Sequence, residues 1–172
     1  MAEPRVNVVN IAELEEVEHL SGDHFGGSYK ALTPFMEASG ASLGVNLTRL
    51  PPGRALCPFH SHLIEDEVFY ILSGQGVLRY GETISAVGPG DCISCPAGTG
   101  TAHQLANTGT EDMLYLAIGR NDPKEVCVYP DTGKVLIRGI KQLGFIQKAG
   151  YMDGEPDEPR IFAMAAEQGT AR

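Results

Sequence analysis

Short apolar runs make up most of the chain from residue 44 onward, and glycine, proline, asparagine or aspartate interrupts them. The interruptions recur about every eight to twelve residues, which predicts an all-β protein of short antiparallel strands in a sandwich or barrel. The runs that we interpret as strands, or as strands with their turns, are 44–50, 60–74, 76–80, 83–87, 92–98, 103–109 and 113–119. No longer repeat is visible, so a solenoid or propeller is not expected.

The segment 68–72, VFYIL, is apolar or aromatic at every position. A strand with one wet face would alternate apolar and polar residues. We therefore expect both faces of this strand to be covered. The barrel interior would cover one face, and the terminal arms or a second subunit would cover the other.

The two ends of the chain have a different pattern. Residues 1–42 predict an N-terminal arm with the first strand or strands, and residues 43–119 predict the barrel core. Residues 120–172 predict a C-terminal extension that contains a hairpin around the turn PDTG (130–133). A hairpin alone is marginally stable in water, so we expect it to pack on the barrel or on a partner subunit.

The composition is that of an ordinary globular domain, with 172 residues, 42% hydrophobic residues and a net charge of −9. An acidic chain repels phosphate backbones, so we expect no nucleic-acid partner. No apolar run approaches the ~18 residues of a membrane span, so we expect no membrane partner. The N-terminus has no apolar signal-peptide core, and the expected location is cytoplasmic.

Four separated residues are candidates for a metal site: His60, His62, Glu67 and His103. His60 and His62 are two positions apart, so both rings face the same side of a strand. Three histidines and one carboxylate suit a divalent transition metal (Mn, Fe, Ni, Co or Zn) and leave coordination positions for a ligand. Each histidine taken alone is more often a solvated or packed residue.

The spacing around these four residues resembles the cupin superfamily. The first cupin motif is matched by Gly53, the pair His60 and His62, Glu67 and Gly74, with one extra residue before the pair. The second motif is matched by Gly90, Pro96-Ala97-Gly98, His103 and Asn107, with two extra residues before the histidine. Both insertions fall in turns, where added length costs little.

This resemblance covers residues 43–119 and implies a double-stranded β-helix, the jelly-roll barrel of cupins. It also implies the metal ligands His60, His62, Glu67 and His103. Asp66 would satisfy a shorter form of the first motif, but only Glu67 keeps six residues before Gly74. The extension resembles that of small bacterial cupins loosely labelled as sugar-phosphate isomerases.

Three functional hypotheses follow, because cupins with this ligand set have many activities. The first is a metal-dependent enzyme, an isomerase or epimerase, decarboxylase or dioxygenase, acting on a small oxygen-rich substrate such as a sugar or sugar phosphate. The second is a non-catalytic small-molecule binding or sensing module that uses the same metal site. The third is a structural protein with a vestigial site. A homodimer is expected in each case, formed by the outer sheet face and the terminal arms.

The catalytic residues are less defined than the ligands. Tyr70, Arg79 and Tyr115 are candidates for lining the pocket or moving a proton, although each also fits a packing or solvent-facing role. A phosphorylated substrate would need a cation, and the sequence offers Arg49, Arg54 and Arg79 within the core. Cys92 and Cys95 form a single CxxC, and on a strand the two thiols would face opposite sides.

Overall fold

The computed structural model describes residues 7–169, which form thirteen strands and two short α-helices. The strands before residue 90 are β1 (Val17–Ser21), β2 (Phe25–Ala31), β3 (Leu43–Leu50), β4 (Ser61–His62), β5 (Glu67–Ser73), β6 (Gly76–Tyr80) and β7 (Thr83–Val87). The later strands are β8 (Cys92–Cys95), β9 (His103–Ala106), β10 (Met113–Arg120), β11 (Val126–Tyr129), β12 (Lys134–Ile137) and β13 (Gln142–Phe145). The helices are α1 (Pro34–Ala38) and α2 (Arg160–Glu167), and single 3-10 turns cover Ile11–Glu13 and Arg138–Ile140.

All strand pairs are antiparallel, and the strands form three sheets. The largest sheet has the order β1-β2-β3-β10-β5-β8, and the others have the orders β13-β12-β11-β4 and β7-β6-β9. A bridge between His60 and His103 connects the two smaller sheets. The predicted all-β barrel is confirmed, and the strand order is far from the sequence order, as in a jelly roll.

The hydrophobic core lies between the six-stranded and three-stranded sheets. Its fully buried members are Leu50, Ile71 and Met113, and Tyr115 is also almost inaccessible. Residues of β8 extend the cluster within the six-stranded sheet, and residues from β6, β7 and β9 complete it from the three-stranded sheet. Burying one large side chain of this kind stabilises the fold by about 1.5–3 kcal/mol.

Strand β5 alternates between a buried and an exposed face. Phe69 and Ile71 are buried, whereas Tyr70 and Leu72 are 40% and 43% exposed. Within residues 7–169, the terminal arms therefore leave the outer face of β5 partly exposed, so of the two covers expected for this face a second subunit remains a prediction. The apolar run reflects β-propensity on the outer face as well as burial on the inner face.

Gly74 has a backbone requirement that explains its place in the first motif. Its φ is +80°, in the left-handed region that L side chains rarely adopt. A Cβ at this position would lie 2.6 Å from the Cα of Met113. The turn between β5 and β6 can therefore approach β10 only with glycine at residue 74.

The C-terminal hairpin of β11 and β12 packs on the barrel of its own chain. Strand β11 pairs with β4, with Cys127 opposite His62 and Val128 opposite Ser61. On the hairpin turn, Asp131 accepts hydrogen bonds of 2.7 and 3.1 Å from the Arg79 guanidinium. The hairpin thus joins the sheet next to the histidine pair.

A buried carboxylate from the same extension holds the bend between β4 and β5. Glu125 is inaccessible to solvent, and its two oxygens accept hydrogen bonds from the backbone N–H groups of Leu63, Ile64 and Glu65. The three distances are 2.8, 3.0 and 2.8 Å. Leu63 N also donates to Val126 O, but Glu125 is the acceptor for the N–H groups of Ile64 and Glu65, and an unpaired N–H at the buried Glu65 would be costly.

The two other acids of the bend are also engaged. Glu65 is only 4% exposed and forms a two-pronged ion pair with Arg138, while its Oε1 also accepts from the backbone N–H of Asp122. Asp66 accepts a hydrogen bond of 2.9 Å from the backbone N–H of Ala97. The bend is therefore tied to the extension on one side and to the loop after β8 on the other.

Beyond β12 the chain is poorly covered. Phe145, Tyr151, Ile161 and Phe162 are each more than half exposed, and α2 buries no residue. Within residues 7–169, no helix is long and apolar enough to cross a membrane.

We predict that Glu125→Gln lowers the free energy of unfolding by about 1–3 kcal/mol. The glutamine amide nitrogen cannot accept a hydrogen bond, so at least one of the three N–H groups loses its bond to the side chain and faces an amide donor instead. Urea denaturation monitored by circular dichroism measures the change. Glu18→Gln, on the exposed face of β1, makes the same chemical change outside the bend and is the control. Equal unfolding midpoints for the two variants would contradict this role of Glu125.

Candidate metal centre

The structure brings together the four residues that the sequence singled out. His60, His62, Glu67 and His103 each contribute a side-chain atom to a group whose members all lie within 4.8 Å of one another. His60 precedes β4, His62 ends β4, Glu67 begins β5 and His103 begins β9. The group therefore forms where three strands begin or end, and residues 62 and 67 are related by the bend that Glu125 holds.

Backbone pairing places the two distant histidines next to each other. His60 N donates to His103 O at 3.1 Å, and His103 N donates to His60 O at 2.7 Å. The two ring centroids are consequently 4.7 Å apart. Opposite Glu67 on β10 is Gly119, where a Cβ would lie 3.4 Å from the Glu67 Cγ, so glycine leaves room for the carboxylate.

The Glu67 carboxylate is the centre of the polar contacts in this cluster. Its Oε2 lies 2.9 Å from His103 Nε2 and 3.2 Å from His62 Nε2. The imidazoles are almost fully buried, with side-chain exposures of 7% for His62 and 4% for His103, whereas Glu67 is 26% exposed. Glu67 is thus the member nearest to open space.

One buried nitrogen supports the fit of a metal ion to this group. His62 Nε2 has no hydrogen-bond partner among the described residues and is inaccessible to solvent. It lies 3.2 Å from Glu67 Oε2, but the geometry of this contact is not that of a hydrogen bond. Buried polar atoms are normally satisfied, so an orphan nitrogen inside a ring of ligand atoms fits a site for a cation.

The outer nitrogens of the imidazoles are oriented by the protein. His60 Nδ1 lies 2.8 Å from the carbonyl oxygen of Pro58, which can only accept, so Nδ1 carries the proton and Nε2 keeps a lone pair. His62 Nδ1 lies 3.5 Å from both Cys127 Sγ and Glu125 Oε1. Such outer partners set the tautomer and ring orientation of metal-binding histidines.

The electrostatics of the metal-free cluster differ between its members. Burial, reinforced by the neighbouring His103 and His62, lowers the pKa of His60 to about 4, so this ring is neutral at pH 7. Burial also opposes the charge of His62, but contacts with Cys127 and Glu67 outweigh it and raise its pKa to about 10. Burial opposes the charge of Glu67, but the hydrogen bond with His103 and the nearby His62 ring stabilise its ionised form and lower its pKa. A cation at this site would replace the proton that His62 otherwise carries.

A cavity of about 350 Å³ opens onto the cluster. Three of the four cluster members, His60, Glu67 and His103, line it. The rest of its lining consists of His19, Gly27, Tyr29, Asn46, Thr48, Leu56, Cys57, Phe69, Leu105, Tyr115 and Ala117. Small molecules of this size class bind in pockets with largely apolar walls and a few convergent polar groups.

A second cavity of about 540 Å³ adjoins the first. Tyr29, Asn46, Glu67 and Ala117 line both cavities, so Glu67 lies where they meet. Residues of the N-terminal arm and of the extension form the outer rim of this second cavity. The cluster is therefore approached between the two terminal segments.

Of the candidate catalytic side chains, only Tyr115 lies in the cavity. Tyr70 projects from the opposite face of β5 to Glu67 and Phe69, because successive side chains on a strand alternate. Arg79 lies between Leu78 and Tyr80, which pack on the core, and it stacks over Phe59 on the outside. The sequence pattern predicts these strands, but it does not predict which face of each strand points into the barrel.

The remaining candidate cations are engaged away from the cluster. Arg49 pairs with Glu16 at 3.2 Å and with Asp112 at 2.9 Å. Arg54 donates to backbone carbonyl oxygens of Gly22 and Phe25. Both arginines thus fasten loops and strand ends.

The cysteines behave as packed thiols. All four are unpaired, and Cys92 is exposed whereas Cys95 is buried, as expected for opposite faces of β8. Cys57 lines the cavity, and burial together with the nearby Glu67 raises the pKa of its thiol to about 12. Cys57 therefore remains an uncharged thiol beside the cluster.

Three residues important for the site had no signal in the sequence. Glu125 and Arg138 lie 60 or more residues from the bend that they hold, and Glu65 belongs to an acidic run in which only one member kept the motif spacing. Glu65 steadies the bend from a buried position. Only strand pairing across the fold places these groups together.

Comparison with known proteins gives the same assignment for the barrel. The profile of the cupin domain matches residues 46–119. Among solved structures, a sugar phosphate isomerase from a cupin superfamily of Silicibacter pomeroyi is 26% identical with a TM-score of 0.69. That alignment covers 90% of this chain and 97% of the other.

Two curated relatives are similar over the barrel alone. The oxalate-binding protein of Thermotoga maritima is 36% identical over 70 residues, which is 41% of this chain and 55% of the relative. Auxin-binding protein 1 of Arabidopsis thaliana is 37% identical over 82 residues, covering 43% and 40% of the two chains. The chain thus matches about half of the length of these relatives. The motif residues, the antiparallel barrel and these similarities together show that residues 46–119 form a cupin domain.

Proposed function

We propose that His60, His62, Glu67 and His103 bind one divalent transition metal per chain and that the protein is a metal-dependent enzyme acting on a small, oxygen-rich substrate. The observation that carries the proposal is the buried, unpartnered Nε2 of His62 inside a ring of three other ligand groups. Mn, Fe, Ni, Co and Zn all suit this set of imidazole and carboxylate donors. The adjoining cavity gives a substrate access to the cluster.

The chain's own residues support isomerase, decarboxylase or dioxygenase chemistry in this cavity. When bound, the metal would supply Lewis acidity toward a substrate oxygen, or redox chemistry if it is iron or manganese. Of the two tyrosines that line the cavity, Tyr29 and Tyr115, we assign the buried Tyr115 as the proton donor. Burial, with Cys57 and Glu67 nearby, raises its pKa, so it stays protonated and can donate to an oxygen of the substrate.

A binding or sensing module without turnover is the second candidate. The two curated relatives are described as an oxalate-binding and an auxin-binding protein, and both are similar to this chain over the barrel. The same cluster and cavity would then orient a small molecule without converting it. Turnover separates the two functions, because both require metal and ligand binding.

We also propose that the protein is a homodimer. Tyr70 and Leu72 leave the outer face of β5 partly apolar and exposed, and Phe145 and Tyr151 are 77% and 98% exposed on the extension. Apolar patches of this kind are characteristic of association surfaces. The outer sheet face and the extension would therefore cover each other in the dimer.

We predict about one divalent metal per purified chain, by elemental analysis. His60→Ala and Glu67→Gln remove one ligand each and should reduce metal affinity by more than the about 10–100-fold typical of outer-shell changes. His24→Ala is the control, because His24 is exposed and its ring contacts the carbonyl oxygen of Gly53 outside the cluster. Equal metal contents in the wild type and all three variants would refute the site.

For an enzyme, we predict that Tyr115→Phe reduces turnover about 100-fold without changing metal content. The change removes only the hydroxyl, so the packing of the ring on Phe69 is kept. Tyr70→Phe makes the same change on the outer face of β5 and should leave turnover unaltered. Wild-type turnover in Tyr115→Phe would exclude this hydroxyl as the proton donor.

A screen of Fe-, Mn- and Zn-loaded protein against sugars, sugar phosphates, dicarboxylates and diols distinguishes the two functions. We predict turnover of one class that disappears in His62→Ala. Tight binding of a compound that the protein does not convert would favour the sensing module instead.

For the dimer, we predict by light scattering a mass of two chains at micromolar concentration. Replacing the exposed aromatic Phe145 with Ser should shift the equilibrium toward monomer, because it removes apolar area from the contact surface. A wild-type protein that is monomeric at this concentration would contradict the proposal.

A further inference from the structure

The charges around the cluster limit what it can bind. If the proposed function holds, a divalent ion is held by three neutral imidazoles and one carboxylate, that of Glu67. The sum of these charges is one positive charge. A single anionic oxygen group on the ligand neutralises it, and a second anionic group needs another cation from the protein.

The walls of the 350 Å³ cavity are uncharged apart from its histidines and Glu67. Leu56, Phe69, Leu105 and Ala117 form an apolar part, and Tyr29, Asn46, Thr48 and Tyr115 supply neutral hydrogen-bonding groups. Among the described residues that line this cavity, none is a lysine or an arginine. The portion of a ligand that lies beyond the cluster thus meets amide, hydroxyl and apolar groups.

The adjoining cavity carries cations, but they are neutralised. Arg138 is bound by the Glu65 carboxylate through both of its terminal nitrogens. Arg120 lies 3.4 Å from the carboxylate of Asp122. Four carboxylates, those of Glu15, Glu37, Glu65 and Glu67, line this cavity together with the two arginines.

A phosphate ester fits this environment poorly. It carries about 1.5 to 2 negative charges at pH 7. In the first cavity it would lose its hydration without gaining a guanidinium or ammonium partner from the described lining, which is costly. In the second cavity it would approach an excess of carboxylates, and like charges placed together disfavour binding.

We infer that the ligand of this site is a small monocarboxylate, such as a hydroxy or keto acid, with an unphosphorylated and uncharged remainder. Its carboxylate supplies the one negative charge that balances the cluster. Its remainder lies against Phe69, Leu105 and the neutral polar groups of Asn46 and Thr48. The inference rests on the proposed function. It differs from sugar phosphate isomerase activity because the inferred ligand carries one carboxylate and no phosphate group.

Calorimetric titration of the Zn²⁺-loaded protein with matched pairs tests the inference. The pairs are glycerate and 3-phosphoglycerate, lactate and 2-phospholactate, and pyruvate and phosphoenolpyruvate. In the first two pairs the second member is the phosphate ester of the first, and in the third it is the phosphate ester of the enol form. Zinc is chosen because it has no redox chemistry of its own. At a fixed ionic strength of about 0.15 M, we expect at least one unphosphorylated member to bind about tenfold or more tightly than its partner.

A gain of phosphate binding provides a second test. Asn46 lines both cavities, and Asn46→Lys places a cation between them, so the preference within the pairs should reverse or disappear. Ser85→Lys, on the exposed strand β7, adds the same charge outside both cavities, so it is the control and should keep the wild-type preference. Tyr29→Lys, at another residue shared by both cavities, serves if the first variant does not fold by circular dichroism.

Two results would overturn the inference: tighter or equal binding of the phosphorylated members by the wild type, or no binding of any of the three monocarboxylates. Metal content measured on the same samples separates these failures from a failure of the proposed function. If about one zinc ion is bound per chain, such a result refutes the inferred ligand class but not the metal site. Protein that takes up no metal refutes the site itself.

Discussion

The bend between the histidine pair and Glu67 depends on one buried carboxylate. Glu125 accepts hydrogen bonds from three consecutive backbone N–H groups, of which only that of Leu63 also donates to a backbone carbonyl, Val126 O. Without Glu125, the segment that joins His62 to Glu67 would be a loop able to adopt several conformations. Because Glu125 also lies 3.5 Å from His62 Nδ1, the same side chain orients an imidazole and fixes the turn that follows it.

This arrangement makes the C-terminal extension part of the site. Strand β11 pairs with β4, Arg138 neutralises Glu65 at the bend, and Asp131 anchors the hairpin turn on Arg79. Ligand groups on barrel strands need positions accurate to a fraction of an ångström, and bends are less rigid than strands. The hairpin makes the bend more rigid in two ways: β11 pairs with β4, and the buried Glu125 carboxylate binds the backbone N–H groups of the bend.

The environment of the cluster bears on function through charge more than through shape. The cavity is large enough for a compact organic molecule and offers neutral groups around a single ionised carboxylate. Cupins share one barrel and many activities, so the ligand must be read from the groups that surround the metal position. Here those groups favour an unphosphorylated acid over a sugar phosphate, even though a solved relative of similar fold is described as a sugar phosphate isomerase.

The sequence by itself determined the all-β class, most strand positions and the four residues of the cluster. Turn residues interrupt apolar runs at regular intervals, and motif spacing relates His60, His62 and Glu67 to Gly74, whose backbone conformation only glycine adopts easily. Tertiary structure alone decided that Tyr115 faces the cavity and Tyr70 does not, that the outer face of β5 is open within the chain, and that Glu125 and Arg138 hold the bend. These features arise from pairing between strands that are distant in sequence. A local sequence pattern does not specify which strand a residue pairs with or which face of a strand points inward.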